Sequence, residues 1–156
     1  MKILKISVVV LVVLLVVFVA IAPVGPVPGF FIGGERADVP ESWGDTSSVH
    51  EILLKVDGGA LPRVVTIWMV QVDGALYALG SAESGWTSVL GPGGPVQMRM
   101  NGKTYALNAT RVTAGWEPIV TAYLDKYRPH YPEIVGGIEA GEDAAGGVAV
   151  FRLTGA

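Results

Sequence analysis

Hydrophobic and polar positions divide the chain into an apolar N-terminal run and a long series of short alternating segments. Ile6 to Ala22 is uncharged and broken only by Ser7. His50 to Val56 places Ile52, Leu54 and Val56 at every second position. Val49, Ile52, Leu53 and Val56 would also suit a short helix. The Asp57-Gly58-Gly59 turn that follows favours a strand. Arg63 to Val72 is a β-branched and aromatic run, and Ala75 to Gly80 is its return strand. Between them, Asp73-Gly74 is a strong tight-hairpin signal, because that turn needs positive φ at both central residues. Val96 to Asn101 alternates again, with Val96, Met98 and Met100 on one face. Asn101-Gly102 is a second hairpin turn, and Lys103 to Thr113 is its return strand.

Helical spacing occurs at two places in this part of the chain. Gly85 to Leu90 allows one turn. Trp116 to Tyr127 carries a stripe of Ile119, Val120, Tyr123, Leu124 and Tyr127, ended by Pro129 and Pro132. Gly136 to Gly147 reads as a loop rich in Gly and acid, and Val148 to Leu153 as a closing strand. The fold class expected is mainly β: a small six-stranded antiparallel split barrel with one or two helices. Closure removes the exposed edges that an open sheet would leave.

The N-terminal run predicts a single transmembrane helix in front of the barrel. Ile3 to Ala22 reaches close to the ~30 Å hydrocarbon thickness if Lys5 snorkels. A cleaved signal peptide is the competing reading, with Ala20-Ile21-Ala22 as the processing site. Pro23 after that site and the length of the run favour an uncleaved anchor. Lys2 and Lys5 would hold the N-terminus in the cytoplasm and place the domain outside it, a single-pass membrane protein. The domains expected are 1–22 as anchor, 23–47 as a Pro/Gly-rich linker and 48–156 as the barrel.

Composition narrows the chemistry. Cysteine is absent, so disulfides, thiol nucleophiles and thiolate metal sites are excluded. The two histidines, His50 and His130, lie far apart in sequence, which argues against a multi-histidine zinc site. Without Lys2 and Lys5, nine basic residues face fourteen acidic ones, a net of −5. That balance argues against a nucleic-acid partner. Glu139, Glu142 and Asp143 lack calcium-loop spacing. His50 and Glu51 point to opposite faces of a strand and make a poor acid/base pair.

The order of strands and turns resembles a family, the flavin- and deazaflavin-binding split β-barrels. These include pyridoxamine-phosphate oxidase-like and deazaflavin-dependent nitroreductase-like proteins. The matching stretches are Pro62 to Trp68, Asp73 to Tyr77, Ser84-Gly85-Trp86, Gly94-Pro95-Val96 and Arg111-Val112-Thr113. The resemblance implies bound FMN or deazaflavin, an oxidoreductase activity and a possible homodimer. Its cofactor-binding residues, carried onto matching positions, are Arg63, Thr66, Trp68, Ser81, Ser84, Gly85, Trp86 and Thr87. Independently of the family, an Arg fork suits phosphate and an aromatic face suits a flat ring. The hairpin register adds that Arg63 lies opposite about residue 84. Bland readings stand beside these. Arg63 also reads as a solvated charge, Trp68 as barrel core, Ser84 and Thr87 as loop and cap residues, and Trp86 as loop packing. The alternative function is a non-enzymatic anchored domain that has lost its cofactor.

Overall fold

The computed structural model describes residues 2–21, 29–58, 61–139 and 147–156. Six long strands form the barrel: β2 (Glu51–Val56), β3 (Arg63–Val72), β4 (Ala75–Ser81), β5 (Gly93–Met100), β6 (Lys103–Arg111) and β7 (Val148–Gly155). A two-residue strand, β1 (Glu35–Arg36), precedes them. The order β2-β3-β4-β7-β6-β5 returns to β2, and every pairing within that ring is antiparallel. The six-stranded antiparallel barrel is therefore present. β1 adds a short parallel pairing, Glu35 with Lys103 and Arg36 with Thr104.

Both hairpins turn where the sequence places them. Asp73 and Gly74 have φ of 49° and 78°, and Asn101 and Gly102 have φ of 51° and 80°. Positive φ at both central residues gives a twist that matches the flanking strands. Alternation then sorts the side chains. Leu76 and Ala78 of β4 and Ala149, Phe151 and Leu153 of β7 face the barrel interior, with Leu54, Met69, Met98 and Leu107. Leu79, Val70 and Val150 face outwards into a second apolar cluster.

That outer cluster is closed by α3 (Glu117–Tyr127) and α4 (Pro132–Glu139) through Ile119, Tyr123, Tyr127 and Val135. One end of the barrel interior is closed by α2 (Gly85–Leu90), which inserts Trp86 and Leu90. With the N-terminal α1 (Lys2–Ile21), four helices are present where one anchor and one or two others were expected. The additional one is α4. Pro132, read as a helix stop, occupies its first position, where a missing N–H costs nothing. The rest of the expected acidic loop, including Glu142 and Asp143, lies outside the described residues.

The membrane reading requires correction. α1 is helical, and its described side chains, from Lys5 to Val17, are all exposed. Among the described residues no helix is long and apolar enough to cross a membrane. The expected transmembrane anchor, the membrane partnership and the single-pass, extracytoplasmic placement are not supported.

Residues 29–47 lie across the barrel. Gly29 and Val64 exchange two backbone hydrogen bonds, of 2.9 and 2.8 Å. The Thr104 hydroxyl donates to Gly33 O at 2.6 Å, and Arg99 donates to Ile32 O at 3.2 Å. Trp43 packs edge-on against Tyr105, with ring centroids 5.0 Å apart.

Candidate functional site

The eight residues expected to bind a cofactor fall into two groups on opposite sides of the barrel wall. Arg63, Ser84 and Gly85 meet at one corner. The Arg63 guanidinium occupies the space into which a Gly85 side chain would project. The register Val72↔Ala75 through Met69↔Ala78, continued along the hairpin, brings about this approach. Thr66 and Trp68 are odd numbers of residues from Arg63 and so stand on the other face of β3. Ser81 ends β4, where its hydroxyl accepts from Glu83 N–H at 3.3 Å.

Trp86 and Thr87 are inside. Trp86 is 6 % exposed and packs against Phe151 with centroids 5.4 Å apart. Its indole lies where a Gly80 side chain would be, within 2.6 Å of an added Cβ. Thr87 is fully buried. Its single proton is shared among the carbonyls of Ser81, Ala82 and Ser84, at 2.8, 3.1 and 2.9 Å. The Ser84 hydroxyl, 2.9 Å from the Thr87 oxygen, must then be the donor of that pair. These hydroxyls close the β4–α2 turn on itself.

The outer face of β3 holds a denser constellation. Trp68 stacks on Tyr127 at 4.4 Å and 13°, and on Tyr131 at 4.6 Å and 30°. The Tyr127 hydroxyl donates between His50 O and Met69 O, at 2.5 and 2.8 Å, and accepts from Met69 N–H at 3.1 Å. Burial pushes the phenol up to about 12, and the Met69 hydrogen bond opposes that shift. Lys126 spends its three N–H groups on the carbonyls of Thr46, Val49 and Met69, at 3.2, 2.7 and 2.9 Å. Burial lowers its pKa, and Asp45 works against that. These two side chains fix the end of α3 to the start of β2 and the middle of β3.

That attachment brings His50 and His130 together, with ring centroids 4.3 Å apart and planes at 48°. His50 is half-buried beside Tyr127, and His130 is exposed. Sequence spacing gave no sign of this contact. The only signal was indirect: Tyr123, Lys126 and Tyr127 share one side of α3, and that side docks where His50 leads into β2. Among the described residues no group of three or more metal-ligating side chains occurs. The pair supplies one accessible imidazole with a second beside it, next to Tyr127 and Tyr131. Two imidazoles fall short of the ligand set that a bare metal ion draws from a protein.

No family model matches the chain, and no curated protein does. Solved structures do. The heme storage protein HutZ from Vibrio cholerae is 18 % identical, with a TM-score of 0.50 over 70 % of this chain and 84 % of that one. The conserved hypothetical protein Rv2991 from Mycobacterium tuberculosis is 14 % identical, with a TM-score of 0.50 over 78 % and 84 %. Campylobacter jejuni ChuZ is 14 % identical, with a TM-score of 0.48 over 70 % and 49 %. At these identities the likeness to HutZ and Rv2991 shows the fold, a split β-barrel. The expected FMN or deazaflavin cofactor, and the nitroreductase-like oxidoreductase activity inferred with it, are corrected. The named ligand among these structures is heme, in HutZ. Trp86, one ring expected to cover a flavin, is packed into the barrel core.

Proposed function

We propose that this chain is a split-barrel domain that binds an iron–tetrapyrrole on the outer face of β3, holding it without turning it over. His130 is the imidazole offered to the iron, and His50 supports it from the residue before β2. The observation that carries this reading is the meeting of the chain's two histidines beside the Trp68, Tyr127 and Tyr131 rings. The name of HutZ, a heme storage protein on the same fold, agrees with it. When bound, the group would supply a Lewis-acidic iron to the imidazole and a flat π surface for stacking. Exposure of His130 suits an exchangeable ligand. Tyr127 and Lys126 have their protons committed to carbonyls, so neither is free to act as an acid on a bound group.

The test is a hemin titration followed in the Soret band. Saturable binding with a shifted Soret maximum is expected. His130→Ala should weaken it tenfold or more, about 1.4 kcal/mol, with partial recovery in added imidazole. His50→Ala should have a smaller effect. A titration without saturation, or a His130→Ala protein indistinguishable from the parent, overturns the reading.

A further inference from the structure

A second feature of the outer wall lies between β4, β7 and the α3–α4 layer. A cleft of about 150 Å³ is lined by Leu79, Gly80, Ser81, Val120, Tyr123, Leu124, Ile138 and Val148. None of these side chains is charged, so an ion placed there would lose its hydration without compensation. Leu79, Val120, Leu124, Ile138 and Val148 make the walls apolar.

Tyr123 differs from its neighbour Tyr127 in one respect. Both belong to the same buried cluster, and Tyr123 is only 9 % exposed. The Tyr127 hydroxyl is fully used by backbone groups. The Tyr123 hydroxyl has no protein partner among the described residues. No fully buried side-chain oxygen or nitrogen there lacks one. The Tyr123 oxygen therefore reaches open space, and the space that Tyr123 borders is the cleft. Burial raises this phenol's pKa well above its usual value, which keeps the hydroxyl a neutral donor.

We propose that the cleft is a second binding site, for a small, neutral, monocyclic ligand whose single acceptor oxygen takes the Tyr123 hydrogen bond. An apolar cavity of this volume accepts a benzene-sized molecule, which sets the upper limit at on the order of ten non-hydrogen atoms. Ser81 and the Gly80 backbone form a polar edge beside the apolar walls. The site is independent of the histidine pair, and its occupancy does not require iron or a tetrapyrrole.

Ligand-observed NMR on the full chain with acetophenone, isopropylbenzene and benzoate tests this. Acetophenone should bind saturably and roughly three- to tenfold more tightly than isopropylbenzene, the worth of one neutral hydrogen bond. Benzoate should not bind. Tyr123→Phe should bring the two neutral ligands to equal affinity. Val120→Trp should fill the cleft and abolish both, with an unchanged far-UV circular dichroism spectrum. Should that variant misfold, cross-relaxation from bound acetophenone to the methyls of Val120, Ile138 and Val148 decides the location. No saturable binding, contacts to other methyls, binding that survives Val120→Trp, or a preference unmoved by Tyr123→Phe overturns the proposal.

Discussion

On β4, Leu76, Ala78 and Gly80 turn inwards while Tyr77, Leu79 and Ser81 turn outwards, and the two sides are completed differently. The inner side meets apolar side chains from every long strand of the barrel, and from α2 it takes Trp86 and Leu90. Its Ser81–Thr87 turn closes on itself, with the Thr87 proton on the turn's own carbonyls and the Ser84 proton on Thr87. The outer side meets two helices that cover it incompletely. It keeps an exposed imidazole, a hydroxyl without a protein partner among the described residues and a cleft. A closed barrel this small has an interior filled by side chains, so a ligand finds room at the wall or at the ends. The inner side is filled for stability, and the recognition proposed above belongs to the outer side.

The sharpest way to break that division is at Phe151, fully buried inside. Phe151→Ala should destabilise by about 3–5 kcal/mol through lost burial and the cavity left beside Trp86. Urea denaturation measures it. A loss below about 1 kcal/mol would mean that the interior is not the main source of stability.

Tyr127→Phe removes only an oxygen from the outer layer. It leaves Met69 N–H without that acceptor and two carbonyls without that donor. The cost should be on the order of 1–3 kcal/mol, read in the same denaturation experiment. Looser docking of α3 should also separate His50 from His130, so hemin affinity should fall along with stability. Full affinity in a destabilised Tyr127→Phe protein would uncouple the packing of α3 from the site.

Alkaline pH sharpens the same contrast without mutation. Tyr127 is raised from 10.0 to about 12 in the fold, chiefly by burial. A raised folded-state value stabilises fully below pH 10 and loses that contribution as pH rises through 12. Lys126 has the opposite sign. Its depressed value disfavours the charged form in the fold, and that cost is relieved as pH approaches the ordinary 10.5. Thermal melts should therefore show a net loss of stability between pH 10 and 12, and Tyr127→Phe should lose less over that interval. An equal slope in both proteins would contradict the burial of this phenol.

The smallest effect is expected at the inner corner. An added methyl at Gly85 meets the Arg63 guanidinium, the far end of a flexible side chain that can swing aside. Gly85→Ala also favours α2 as a helix. Stability should change by no more than about 0.5 kcal/mol, and hemin binding not at all. A marked loss of hemin affinity in Gly85→Ala would move the site to this corner.

Much of the inner side was legible because its rules are local. Asp73-Gly74 and Asn101-Gly102 announce their turns, and period-two alternation separates Met98 from Arg99. The hairpin register brings Arg63 towards Gly85 by counting alone. What was not legible depended on chain segments that meet only after folding. Pro132 ends a helix or begins one, and only the packing of Val135 against the outer cluster decides for α4. β1 has two residues, too few for any period, and exists because β6 offers it an edge. Trp68 lies in a strand and reads as barrel core, and Trp86 reads as loop packing, yet Trp68 stacks outside on tyrosines and Trp86 fills the core. His50 and His130 are neighbours because Lys126 and Tyr127 find backbone acceptors on β3 and in the segment before β2. No spacing rule encodes that.

The most direct test of the division between the two sides is a chemical-shift map with gallium protoporphyrin, a diamagnetic stand-in for heme. The account predicts saturable shifts at His50, Trp68, His130 and Tyr131, with Arg63, Ser84 and Trp86 unmoved. Shifts centred on Arg63, Ser84 and Trp86, with the histidine pair silent, would contradict it.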